Sequence, residues 1–293
     1  MYCPRLDHFV RFNPDGTVSR CGHMTLPPRF ANLENMESSE WLVDIKNKMS
    51  QENWPDECQR CKTTELENGT SIRLNAIKFH KLQKQDNYLS VGGVLDNVCN
   101  SGCLTCDENH STLIGSLHSK KYIKVNNSTK FWDLPLDRVV HLDINGGEPS
   151  ASKNYKRILE NVPQSLKSIR INTNCSTVMH EVGSLVTRGI QVTITASLDG
   201  IGKIHDYVRW PIKFEDFERN LRAYQQMGVD EINGNIPGRL NSKAKSLKLK
   251  ENDSHFEHAP SDLGAKARII ADNCHSLAEL RSALEGFDGL SIK

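Results

Sequence analysis

Three cysteines fall within eight residues, Cys99-x3-Cys103-x2-Cys106, directly after the apolar run 88–95. Thiolates on so short an arc can hold three corners of one cubane cluster. Because a 4Fe-4S cluster ordinarily takes four cysteines, one iron is then left for a non-protein ligand. On spacing alone the alternative is zinc held with a distant histidine, although zinc sites more often pair their cysteines as C-x2-4-C with a second pair elsewhere. Four more cysteines, Cys3, Cys21 and the pair Cys58-x2-Cys61, precede the triplet, while Cys175 and Cys274 stand alone and read as small buried hydrophobes.

Nine cysteines in 293 residues is well below the density of a disulfide scaffold, and the number is odd. The start, Met1-Tyr2-Cys3-Pro4-Arg5, has no apolar signal region, so the expected setting is cytoplasmic and the clustered thiols are expected as metal ligands. With 37 Lys+Arg against 36 Asp+Glu, the formal charge of +1 supplies no global field for nucleic acid. No apolar run approaches the roughly 18 residues of a membrane span, so neither nucleic acid nor membrane is an expected partner.

A second motif follows about 40 residues later. Residues 138–145 alternate apolar and polar like a strand and run into Gly146-Gly147-Glu148-Pro149. Two glycines at a strand end let a ligand approach the backbone closely, and a carboxylate there can accept hydrogen bonds from an ammonium group. Pro149 suits the first turn of a following helix.

These residues, in this order and with Ser197-Leu198-Asp199-Gly200 after the strand-like 191–196, resemble the radical SAM superfamily over residues 88 to about 229. The resemblance implies a 4Fe-4S cluster on Cys99, Cys103 and Cys106 whose open iron binds S-adenosylmethionine (SAM). In that family the reduced cluster cleaves SAM to methionine and a 5'-deoxyadenosyl radical that abstracts hydrogen from a substrate. Gly146, Gly147 and Glu148 would hold the amino group, and Ser197 and Arg209 the carboxylate, which a guanidinium grips bidentately. A surface helix salt bridge is the other reading of Arg209. Asn172 and Asn174 end the third strand, either near the cofactor or simply as turn residues. Thr105 departs from the family, where a bulky apolar residue usually precedes the third cysteine.

The first 80 residues read as a small cysteine-rich α+β module. Segments 9–12 and 17–20 flank the turn Asn13-Pro14-Asp15-Gly16 as a hairpin that would bring Cys3 and Cys21 together. Trp41, Leu42, Ile45 and Met49 share a helical face that would pack Cys58 and Cys61 back onto it. The arrangement resembles the twitch module, a shortened relative of the SPASM module, which implies an auxiliary 4Fe-4S cluster on Cys3, Cys21, Cys58 and Cys61. Tetrahedral zinc suits the same four cysteines. His8, His23 and His110 lie near the cysteine loops and are not expected to be ligands.

Alternation of strands at 88–95, 139–145, 167–172 and 191–197 with helical patterns near 108–118, 152–161, 179–188 and 214–227 predicts an α/β fold with a parallel sheet. The resemblance makes it a partial (β/α) barrel, truncated to about four βα units. The expected organisation is a module over 1–80, a core over 88–232, a lysine-bearing linker over 233–260 and a helical tail over 261–293. In the tail, Ser276 and Glu279 form a capping box ahead of Leu277, Leu280 and Leu284. It faintly resembles the lead-in segment of bacterial uracil-DNA glycosylases, without any of their catalytic site. The expected function is radical SAM chemistry on a peptide or other macromolecular substrate, with a reductase or a flavodoxin- or ferredoxin-type electron donor. The competing reading is a non-catalytic zinc- or cluster-binding scaffold on a degenerate core.

Overall fold

The computed structural model describes residues 1–119, 124–200, 202–235 and 290–292. The helical tail with its capping box, Cys274 and the lysines of the expected linker therefore lie outside the described residues, apart from the short strand Leu290–Ile292.

The chain begins with a helical turn, α1 (Arg5–His8), and the hairpin strands β1 (Phe9–Phe12) and β2 (Val18–Ser19). Helices α2 (Leu33–Glu37), α3 (Glu40–Ser50), α4 (Gln59–Asn68) and α5 (Ile72–Lys81) follow, then β3 (Leu89–Val94). Beyond it come α6 (Thr112–Ile114), α7 (Ser128–Trp132), β4 (Val139–Asn145), α8 (Lys153–Glu160), β5 (Ser168–Thr173) and α9 (Glu181–Thr187). The last elements are β6 (Gln191–Ser197), α10 (Lys203–Val208), α11 (Phe214–Gln226), β7 (Glu231–Asn235) and β8 (Leu290–Ile292).

One sheet, ordered β2-β1-β3-β4-β5-β6-β7-β8, contains all of these strands. Every pairing is parallel except that of β1 with β2. The α/β prediction and its four strands are recovered, but the sheet reaches further on both sides. The hairpin joins the main sheet: β1 pairs in parallel with β3, aligning Val10 with Val91, and so covers an edge that would otherwise expose unpaired backbone. The expected linker boundary at 233 also gives way, because β7 runs to Asn235 in register with β6. Residues 290–292, expected in a helical tail, form a strand beside β7.

Alternation along the strands separates two faces. Leu142 and Ile144 of β4, with Ile169 and Ile171 of β5 and Val192 and Ile194 of β6, join one buried core with Tyr155, Ile158 and Leu159 of α8, Val182 and Leu185 of α9, and Phe217, Leu221 and Tyr224 of α11. Each such side chain contributes roughly 1.5–3 kcal/mol on burial. The intervening residues, His141, Asp143, Asn145, Arg170, Asn172, Thr193 and Ser197, make the opposite face polar. Arg170 forks onto Asp143 with Nε–Oδ1 at 2.9 Å and Nη2–Oδ2 at 2.5 Å. Helix α5 lies over this face, and Phe79, Ile72 and Asn75 help enclose a cavity of about 300 Å³ with His141, Asp143 and Arg170.

The predicted face of α3 is buried as Leu42, Ile45 and Met49 pack with Leu6, and Trp41, Cys3 and Cys58 pack against that cluster. The helix starts where the Ser39 side chain accepts from the Leu42 N–H. This small core brings Cys3 and Cys58 against one cluster.

Candidate functional site

The end of β3 is where the site is built. Tyr155, fully buried on α8, donates its hydroxyl to the Asn145 carbonyl at 2.7 Å and accepts the backbone N–H groups of Leu95 and Asp96 at 3.2 Å each. One phenol thus ties the end of β3 to the end of β4. Asp96 then accepts the Val98 N–H at 2.8 Å and the hydroxyl of Ser152 at 2.7 Å, fixing the chain as it enters the cysteine loop.

The glycine turn docks on that loop through its backbone. Gly147 N–H donates to the His110 carbonyl at 3.0 Å and Glu148 N–H to the Val98 carbonyl at 2.8 Å. Gly147 has φ +60°, and a Cβ there would stand 2.6 Å from the Val98 oxygen and 2.9 Å from the Asp96 oxygen. Only glycine permits this approach. Pro149 opens a short 3-10 turn, Pro149–Ala151, rather than the helix expected at that point; α8 begins after it.

The other side of the loop is held by the segment after α10. Gly102 N–H donates to the Trp210 carbonyl at 2.6 Å and Leu104 N–H to the Val208 carbonyl at 3.0 Å. Asn100 is met by the Asn174 side-chain amide at 2.9 Å and donates to the Ser176 hydroxyl at 2.9 Å.

A cavity of about 390 Å³ lies where these segments meet. Cys99, Cys103, Cys106, Gly146, Gly147, Glu148, Ser197 and Arg209 all line it, so the residues that the sequence placed in the cofactor site come to one place, and Asn172 and Asn174 line it with them. Ser101, Thr105, His110 and Thr173 complete the lining.

Two of these side chains are engaged differently from the sequence expectation. The Glu148 carboxylate, 1 % exposed, accepts on Oε1 from Ser150 N–H at 3.0 Å, Ser150 Oγ at 2.7 Å and Thr173 Oγ1 at 2.7 Å, and on Oε2 from Asn174 N–H at 2.7 Å. It fastens the end of β4 to that of β5, and only Oε2 keeps acceptor capacity. Burial raises its pKa, against the pull of these donors. Arg209 is no surface salt bridge: it is 8 % exposed, its Nε donates to Asp199 Oδ2 at 2.5 Å, and its Nη1 lies 3.7 Å from Cys103 Sγ. Burial opposes its charge, but Asp199 and Cys103 outweigh that and hold its pKa up.

Cys3, Cys21, Cys58 and Cys61 line a second, small cavity together with His23, Arg5 and Arg73. All eight cysteines among the described residues are free thiols. Burial pushes the Cys99, Cys3 and Cys58 thiols up to about 12 and Cys106 to about 11. Such thiols need a cation to give up their protons near neutrality. Among the described residues no three His, Cys, Asp or Glu side chains converge at the spacing of ligands to one metal ion. Cys175 is fully buried in the main core, as expected of a small hydrophobe.

No family model matches the chain, and no curated protein matches it. Among solved structures it is similar to Streptococcus suis SuiB bound to S-adenosylmethionine, at 15% identity and a TM-score of 0.37. The match covers 78% of this chain and 55% of SuiB, so the chain spans little more than half of that structure's length. Among the described residues no helix is long and apolar enough to cross a membrane.

Proposed function

We propose that the chain is a radical SAM enzyme: Cys99, Cys103 and Cys106 hold a 4Fe-4S cluster whose fourth iron binds SAM in the 390 Å³ cavity. The observation that carries this reading is convergence. Three sequence landmarks separated by about 40 to 100 residues, the cysteine triplet, Gly146-Gly147-Glu148 and Ser197 with Arg209, line the same cavity at the carboxyl ends of parallel strands. Open α/β sheets bind ligands at that end.

The donor set fits the group: three thiols on one loop, lining one cavity, leave a corner open. When bound, the cluster supplies the electron that cleaves SAM to methionine and a 5'-deoxyadenosyl radical. The protein's part is placement. The Gly146-Gly147 turn lets the cofactor's amino end lie against backbone, Glu148 Oε2 offers an acceptor, and Ser197 offers a hydroxyl. Thr105 leaves the adenine side more open than a bulky residue would.

Cys3, Cys21, Cys58 and Cys61, in a twitch-like module, hold an auxiliary cluster, supported by their shared cavity and by the cationic Arg5 and Arg73 beside it. The substrate is a peptide or another macromolecule, and a flavodoxin- or ferredoxin-type protein or a reductase in the cytoplasm provides electrons. Anaerobic reconstitution tests the metal content. Two clusters give about eight iron per chain and broad absorption near 400 nm, and replacing Cys99, Cys103 and Cys106 together by alanine removes about half of the iron. A colourless protein rich in zinc supports the scaffold reading instead.

A further inference from the structure

The Arg209 guanidinium has two partners: Asp199, at 2.5 Å from Nε, and the sulfur of Cys103, at 3.7 Å from Nη1. The Asp199 carboxylate is completely buried and its other oxygen, Oδ1, has no partner, so the whole of its hydrogen bonding is spent on Arg209. Arg209 is fixed from behind as well, since its backbone N–H donates to the His205 carbonyl at 2.8 Å and its carbonyl accepts from Ser101 Oγ at 3.1 Å. Ser101 Oγ also lies 2.9 Å from Cys103 Sγ. A cation held this rigidly, hydrogen-bonded to the Cys103 sulfur and electrostatically coupled to Cys106 as well, needs an account that carboxylate capture does not provide.

We propose that Arg209 sets the reduction potential of the cluster through Cys103, as a positioning and tuning residue rather than as the grip on the SAM carboxylate. The inference rests on the radical SAM reading. A positive charge and an N–H donor at a ligating sulfur favour the more negative, reduced state, so they raise the potential. Asp199 orients the fork and keeps it on the sulfur.

The test is a redox titration, without SAM, of the full reconstituted chain as wild type, Arg209→Gln and Arg209→Lys, followed by EPR. The signal that changes when SAM is later added identifies the open-iron cluster. Arg209→Gln should lower the midpoint at undiminished iron content, while Arg209→Lys, which keeps the charge, should stay closer to wild type. An unchanged midpoint in Arg209→Gln overturns the proposal, and a simultaneous loss of SAM affinity would return Arg209 to the carboxylate. Equal shifts in both variants also overturn it, because a purely structural role does not distinguish them. A wild-type protein that takes up no iron at the triplet instead overturns the function on which the inference rests.

Discussion

The backbone N–H of Glu148 donates to the carbonyl of Val98 at 2.8 Å, joining the glycine turn to the residue immediately before Cys99. The cysteine loop and the Gly-Gly-Glu turn are therefore one structural unit, and the cavity between them depends on a backbone contact rather than on side chains alone.

Gly147 is the tightest point of that contact. Gly147→Ala should destabilise the protein by well over the ~1–2 kcal/mol that a left-handed backbone imposes on alanine, because its Cβ would stand 2.6 Å from the Val98 oxygen. Gly69→Ala is the control: φ is +63° but nothing lies within 4 Å of its Cβ, so it should lose only the conformational part. Urea denaturation of both variants measures the difference, and equal losses would remove the close approach from the account.

Tyr155→Phe keeps the ring in the core but deletes the hydroxyl that serves Leu95, Asp96 and Asn145. Two buried N–H groups then lose their acceptor, at a cost of about 2–4 kcal/mol. The same denaturation experiment checks it. A loss below about 0.5 kcal/mol would mean that water or a shifted loop replaces the phenol.

Glu148→Gln replaces an acceptor by an amide that must point its NH2 at one of the donors Ser150, Thr173 or Asn174. A loss of about 2–4 kcal/mol is expected, with weaker SAM binding by calorimetry. A stable variant with unaltered SAM affinity would leave Glu148 without either role.

Buried histidines make stability sensitive to acid. Burial depresses His23, His141 and His205 from 6.5 to about 4. Between those values the unfolded chain binds protons that the folded chain does not, so stability is present above pH 6.5 and is lost as pH falls toward 4. His205 is fully buried between Phe214 and Phe217 with both ring nitrogens unpartnered. His205→Phe should raise stability at pH 7 by about 1–2 kcal/mol and flatten the decline between pH 6.5 and 4. Denaturation midpoints across that range decide it, and a variant as acid-sensitive as wild type would place the dependence elsewhere.

Much of the site was legible because it lies where strands end. A strand periodicity that stops at Gly146-Gly147, or just before Cys99, places those residues at the same edge of a parallel sheet whatever the crossovers do. What was not legible depends on distant pairing. Nothing near Phe9–Phe12 announces a parallel partner some 80 residues away, so the hairpin read as part of a separate module. Asn233-Gly234-Asn235 reads as the start of a linker, yet the backbone ladder offered by β6 outweighs its weak strand propensity. The short helices α7 and α10 lack the length over which a 3.6-residue period shows. For Asn172 and Asn174 a cofactor role and a turn role look alike in sequence; both line the cavity, and Asn174 also makes a turn by accepting the Ser176 N–H at 2.9 Å. The pairing of Arg209 with Asp199, ten residues apart, carries no sequence signature beyond the two charges.

Release of 5'-deoxyadenosine by reconstituted protein given SAM and dithionite tests the central claim most directly, since it needs no substrate. Release that disappears when Cys99, Cys103 and Cys106 are changed together to alanine is the predicted result. Wild-type release no greater than that of the triple variant, from protein carrying its full iron content, would contradict it.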